Sequence, residues 1–167
     1  MPTTARGHRY PASTASPNVA QDLQNLATDI NVDQNLGLWT TTVTNGSFNL
    51  SVSNTTFATA TGLGPYSVTV PTGHQLEVEF MCPLIDVPAT TGFQIRIAMS
   101  GTYEASGYWT NSNAASIGTG CTLRAYKAGT GASMSYQVEV VKNGTGTPVM
   151  NASLVTGGKI LLRHRII

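Results

Sequence analysis

Charge is scarce in this chain. Lys and Arg number 9 and Asp and Glu 8 among 167 residues, 10% in all, with a net charge of +1, against roughly 25% charged residues in an average soluble domain. Without a basic stripe or cluster, a nucleic-acid footprint and a polybasic membrane patch are excluded. Cysteine is nearly absent too. Cys82 and Cys121 have no second Cys or His at ligand spacing, so no metal site is expected. They read as buried reduced thiols or, should their strands be neighbours, as a disulfide pair. No apolar run approaches the roughly 20 residues of a membrane span. The first 17 residues hold Arg6, His8, Arg9 and three prolines but no apolar stretch, so no secretory leader is expected. The N-x-S/T sequences at Asn45, Asn54, Asn143 and Asn151 then read as chance matches in an Asn- and Thr-rich chain.

Catalytic grammar is missing as well. The sequence contains no G-x-S-x-G, P-loop, H-E-x-x-H or dinucleotide fingerprint. His8, His74 and His164 have no acidic neighbour at a catalytic spacing. Asp86 and Glu104 could form a glycosidase-like pair only if the fold brought them together. Glu77, Glu79 and Glu139 sit at strand positions that predict a solvated face. The expectation is a protein that is not an enzyme and has no cofactor.

What is present divides in three. Residues 1–18 are polar, and Pro2, Pro11 and Pro17 favour extended backbone, predicting an anchoring arm. Residues 19–36 predict a short helix and linker: Val19, Leu23, Leu26 and Ile30 recur at i, i+4, i+7 and i+11, behind start signals at Ser16, Pro17 and Asn18. Such a stripe docks on its own domain or bundles with copies of itself. Residues 37–167 change to period two. "LWTTTVT", "SFNLSVS", "YSVTVP", "HQLEVEFM", "FQIRIAMS", "TLRAYKA", "SYQVEVVK" and "KILLRHRII" are separated by Gly, Pro and Asn turns. Eight or more short strands without a second helix predict an all-β, antiparallel jelly-roll-like sandwich. The last has two apolar faces, as in a central strand or at a subunit contact. Between strands, "GTYEASGYWTNSN" gathers Tyr103, Tyr108, Trp109, Asn111 and Asn113, which are candidate glycan contacts or fillers of core and subunit contacts.

The stretch "TARGHRYPASTASPNVAQDLQNLATDI", Thr4 to Ile30, resembles the opening of small virion structural proteins of tailed bacteriophages, particularly those of actinobacteria. There an "RYP" arm and a "DLQNLA" helix precede a variable β-rich body. The resemblance implies a homotrimer on the outer surface of the virion, synthesised in the bacterial host cytoplasm. Arg6, Arg9, Tyr10 and Pro11 would contact the major capsid protein or another virion protein, and Val19, Leu23, Leu26 and Ile30 would bundle the helix. Capsid decoration or head-fibre protein is the leading expectation. The alternatives are a minor tail or tail-fibre-tip protein that binds the host surface, with a host glycan as partner, and a free carbohydrate-binding module.

Overall fold

The computed structural model describes residues 23–24, 36–45, 49–151 and 159–167. Its strands are β1 (Thr40–Asn45), β2 (Asn49–Ser51), β3 (Ala58–Thr59), β4 (Tyr66–Thr69), β5 (Gln75–Val87), β6 (Thr91–Met99), β7 (Thr102–Asn111), β8 (Ile117–Ala128), β9 (Ser133–Gly144), β10 (Val149–Asn151) and β11 (Ile160–Ile166). All eleven lie in two sheets, and every strand pair is antiparallel.

The first sheet is built around β5. β8 pairs along one edge of it, while β11 and then β10 share the other, with β1 outside β11 and β2 outside β10. In the second sheet β9 lies between β6 and the short strands β3 and β4, and β7 flanks β6 on the far side. The central place of β11 accounts for its two apolar faces.

Alternation decides which side chains meet between the sheets. Leu76, Val78, Phe80 and Cys82 of β5 and Ile160 and Leu162 of β11 join Phe93, Ile95 and Ile97 of β6 and Met134, Tyr136, Val138 and Val140 of β9 in one buried cluster. Each fully buried aliphatic side chain contributes about 1.5–3 kcal/mol, so this interior holds the two sheets face to face.

Two polar features interrupt it. Cys82 and Cys121 occupy directly opposed positions on β5 and β8; both are free thiols and buried. Burial pushes the Cys82 thiol up to about 11 and the Cys121 thiol up to about 12. Almost no thiolate then exists at neutral pH, and the thiolate is the reactive form. Folded protein is expected to leave 5,5′-dithiobis(2-nitrobenzoate) unreacted, with two thiols released on denaturation; rapid reaction of the native protein would refute this.

The second feature lies under β1. The Tyr136 hydroxyl is 2.8 Å from His164 Nδ1 and 2.7 Å from Thr42 Oγ1, and the His164 ring is tilted against the Tyr136 ring. Desolvation lowers the pKa of His164 from its ordinary value. Arg163 and Arg165, its chain neighbours, lie on the opposite face of β11. A His whose folded pKa is depressed binds fewer protons folded than unfolded, so its contribution is present above the unfolded pKa, about 6.5, and is lost as pH falls from there to the folded value. Melting temperature is expected to drop between pH 7.5 and 5.5, and to drop less in His164→Gln; equal drops would exclude this residue as the source.

The two ends of the sandwich differ. At the near pole Leu36 bridges Ile166, the Gly37 amide donates to the Ile166 carbonyl at 2.7 Å, and Gln75 and Ile167 exchange backbone hydrogen bonds at 2.8 and 2.9 Å. The chain therefore enters the body beside its own C-terminal strand. At the far pole lie Val87 opposite Ile117 and Thr91 opposite both Asn111 and Gly144.

Candidate functional site

Of the residues expected to anchor or bundle, Arg6, Arg9, Tyr10, Pro11, Val19, Leu26 and Ile30 lie outside the described residues. Leu23 is described: it is helical, as is Gln24, and its side chain is exposed.

The aromatic segment expected to lie between strands is itself a strand, β7, and this divides its residues between two faces. Ala105, Gly107, Trp109 and Asn111 turn inward. Trp109 stacks on Phe93 with ring centroids 6.1 Å apart and packs against the core. Asn111 is buried; its Nδ2 donates to the carbonyls of Val87 and Ala115, both at 2.8 Å, and its Oδ1 accepts from the Asn113 amide. These contacts tie β7 to β5 across the far pole. Trp109 and Asn111 are thus structural; of the aromatic candidates Tyr103 and Tyr108 stand in the open, 67% and 59% exposed, and Asn113 is exposed as well. The two tyrosines are not together. Tyr103 lies near Arg96 toward the near pole, its ring 5.2 Å from the guanidinium carbon, whereas Tyr108 is toward the far pole.

Around Tyr108 the outer face of the second sheet has a notch whose origin is the ladder. Gly92 of β6 pairs with Asn143 of β9 on one side and Thr110 of β7 on the other; two rungs along, on the same face, Gln94 pairs with Val141 and Tyr108. The missing side chain at Gly92 leaves a gap in the middle strand, and the Tyr108 phenol leans over it. A Cβ placed on Gly92 would sit 2.9 Å from the Tyr108 hydroxyl and 3.5 Å from Asn143 Cβ. The result is a depression of about 340 Å³ continuous with a second along the same strands, sharing Gly92, Tyr108, Asn143 and Gly144. Lys142 is the cation of its lining, and its Nζ donates to the Gly146 carbonyl at 2.9 Å.

The outer face of the first sheet holds a group that the sequence did not reveal. Glu77 and Glu79, expected in solvent, are 0% and 1% exposed. Arg163 and Arg124 stand opposite Glu79 on the two neighbouring strands, and Arg165 and Tyr126 stand opposite Glu77. Glu79 takes Arg124 at 2.6 Å and Arg163 at 2.5 Å. Glu77 takes Arg165 at 2.5 Å and the Tyr126 hydroxyl at 3.0 Å. Trp39 then covers both β11 arginines, 4.2 and 4.5 Å from ring centroid to guanidinium carbon. The alternation correctly placed the glutamates on the outward face, but the arginines, Tyr126 and Trp39 cover the two carboxylates there. Glu139 is likewise paired rather than free, with Arg96 at 2.6 Å.

These pairings leave Glu77, Glu79 and Glu139 occupied. Glu104 pairs with Lys127 at 2.7 Å, which holds its pKa below the usual carboxylate value. Lys127 stands opposite Leu76 and Asp86 opposite Gly118, so the two carboxylates of the glycosidase-like expectation flank opposite ends of β5, roughly 30 Å apart at strand rise. The fold does not bring them together. Among the described residues no group of three His, Cys, Asp or Glu could hold a metal ion.

No protein-family model matches the chain, and no curated protein matches it. Among solved structures it is similar to the insecticidal delta-endotoxin Cry8Ea1 of Bacillus thuringiensis, with 13% identity and a TM-score of 0.33 over 75% of this chain. The match spans 19% of the toxin's length.

Proposed function

We propose that this chain is a non-enzymatic structural protein of a tailed-phage particle: a homotrimeric capsid decoration or head-fibre protein, held by its N-terminal arm and presenting its β-body outward. The observation that carries the reading is the polarity of the body. Residue 36 enters at the near pole beside Ile166, while the Tyr108 notch lies on the side of the body toward the far one. Anything held through residues 1–35 would leave the notch at the end away from the attachment. The phage-like opening stretch supports the same assignment, as does the pairing of Glu77, Glu79, Glu104 and Glu139 with cations.

The body fits a jelly roll. Orders β1-β11-β5-β8 and β4-β9-β6-β7 are those of two four-stranded sheets closed by a double Greek key, with β2, β3 and β10 as short additions at their edges. That architecture serves viral shells and lectins alike, so it leaves the function to be argued from the site.

Mechanistically, the arm would lie along subunits of the particle through backbone hydrogen bonds and contacts of Arg6 and Arg9. Three arms on one trimer multiply a weak single-arm affinity through effective concentration. Deleting residues 1–17 is expected to leave a trimer of matching circular dichroism and mass that no longer sediments with particles; retained binding would refute the anchor. Leu23→Asp with Leu26→Asp is expected to yield monomers by light scattering, and an unchanged mass would remove the helix from the trimer contact.

A second reading, a minor tail or fibre-tip protein touching the host surface, is favoured by the notch itself. Copy number per particle separates the two: a value matching the capsid lattice supports decoration, and a few copies support the tail.

A further inference from the structure

We infer that the notch over Gly92 is a binding subsite for a neutral pyranoside, with the Tyr108 ring as its platform. The inference deepens the host-surface reading and rests on it for its biological role. Three properties of the notch select this ligand class.

Its aromatic ring is open and backed. Tyr108 is more than half exposed, yet its phenol end lies close over Gly92, where the absence of a side chain makes room for it. A flat ring held against a sheet offers its outer face to the apolar C–H face of a sugar.

Its polar groups are neutral and unengaged. Asn143 stands directly across from Gly92 and Gln94 two residues along the same face, and their side-chain amides have no hydrogen-bond partner among the described residues. Each offers donors and an acceptor to vicinal hydroxyls. No carboxylate lines either depression, which gives a cationic ligand nothing to pair with. The one cation of the lining, Lys142, stands opposite the inward Phe93, on the other face of the ladder from Gln94 and Asn143, and donates to the Gly146 carbonyl, so an anion is not the favoured occupant.

Its frame is rigid. Gly92, Gln94, Tyr108 and Asn143 stand on three hydrogen-bonded strands, and a platform carried by a ladder loses little freedom on binding. A room of about 340 Å³ falls at the lower end of the range for small-molecule sites, suited to one or two sugar rings.

The test is a titration of the full chain with maltotriose, cellotriose and the N-acetylglucosamine trimer, followed by amide chemical shifts and tyrosine fluorescence. At least one sugar is expected to give saturable shifts centred on Gly92, Tyr108, Asn143 and Gly144. Tyr108→Ala should weaken that binding about tenfold or more, and Asn143→Ala about three- to tenfold. Tyr108→Phe should retain most of it. Gly92→Ala should weaken it several-fold while leaving the fold intact, because its Cβ would displace the flexible end of Tyr108 and no backbone. Tyr103→Ala, near the other pole, should bind as wild type. The proposal is overturned by the absence of saturable shifts with all three sugars, by shifts confined to another face, or by Tyr108→Ala binding as wild type. The titration uses the free chain, so a negative result leaves the anchoring of the arm untouched, and particle binding by the arm says nothing for or against the notch.

Discussion

Replacing Glu79 with Ala is expected to lower stability by about 3 kcal/mol, seen in urea unfolding as a reduced midpoint at unchanged slope. The carboxylate lies between Arg124 and Arg163 with both its oxygens engaged. Its removal leaves two guanidinium groups facing each other across the centre of the sheet. They are 49% and 27% exposed, so water recovers part of their solvation, which sets the estimate at the low end for a broken buried pair. Glu79→Gln should lie between wild type and Glu79→Ala, since the amide keeps its acceptor oxygen and loses the charge. Adding Arg163→Ala to Glu79→Ala should cost less than the sum of the single changes, because the two groups share one interaction. A loss below about 0.5 kcal/mol for Glu79→Ala would match a solvated surface position and contradict the packed arrangement.

Phe93→Ala is expected to cost about 3–5 kcal/mol, the range for emptying a buried aromatic site. Phe93 is fully buried on β6 at the centre of the second sheet and carries Trp109 on its ring. The cavity would therefore open beneath the indole. Near-ultraviolet circular dichroism should lose the Trp109 signal along with the stability, and a preserved signal at full stability would mean that Trp109 packs elsewhere. The pair explains why Gly107 is a glycine. A Cβ there would sit 2.6 Å from Trp109 Cη2.

That same packing explains what the sequence concealed. The β-rich class and most strands were legible because Leu76, Val78 and Phe80, or Phe93, Ile95 and Ile97, alternate with polar neighbours, and such alternation survives into burial. Strand β7 was not legible. Its inward face reads Ala105, Gly107, Trp109, Asn111, in which the Trp109 ring covers the glycine, while its outward face carries the conspicuous tyrosines. Hydrophobicity therefore fails to alternate, and the register shift between Tyr103 and Ala105 breaks the period further. The short strands β3 and β10 offer too few residues for any period to register.

The two glutamates teach a second limit. Alternation says which way a side chain points and is silent about what lies across the ladder. The partners of Glu77 and Glu79 come from β8 and β11, 45 or more positions away. The opposed charges on "HQLEVEFM" and "KILLRHRII" were the available signal, since antiparallel pairing of these two strands sets Glu against Arg at two successive outward rungs. The notch was hidden for a like reason: Gly92 is unremarkable until Asn143 and Thr110 stand on either side of it.

The entry point at Leu36 has a mechanical consequence. From there the chain runs into β1, which lies against β11 over Thr40–Asn45, and the ladder bonds stand perpendicular to the strands. Tension applied between residue 36 and the Tyr108 notch would run along the strands from pole to pole. It would load the rungs between β1 and β11 together, in shear, rather than peel them apart one after another. A body joined in this way resists being pulled off lengthwise far better than it resists being pried sideways from its edge.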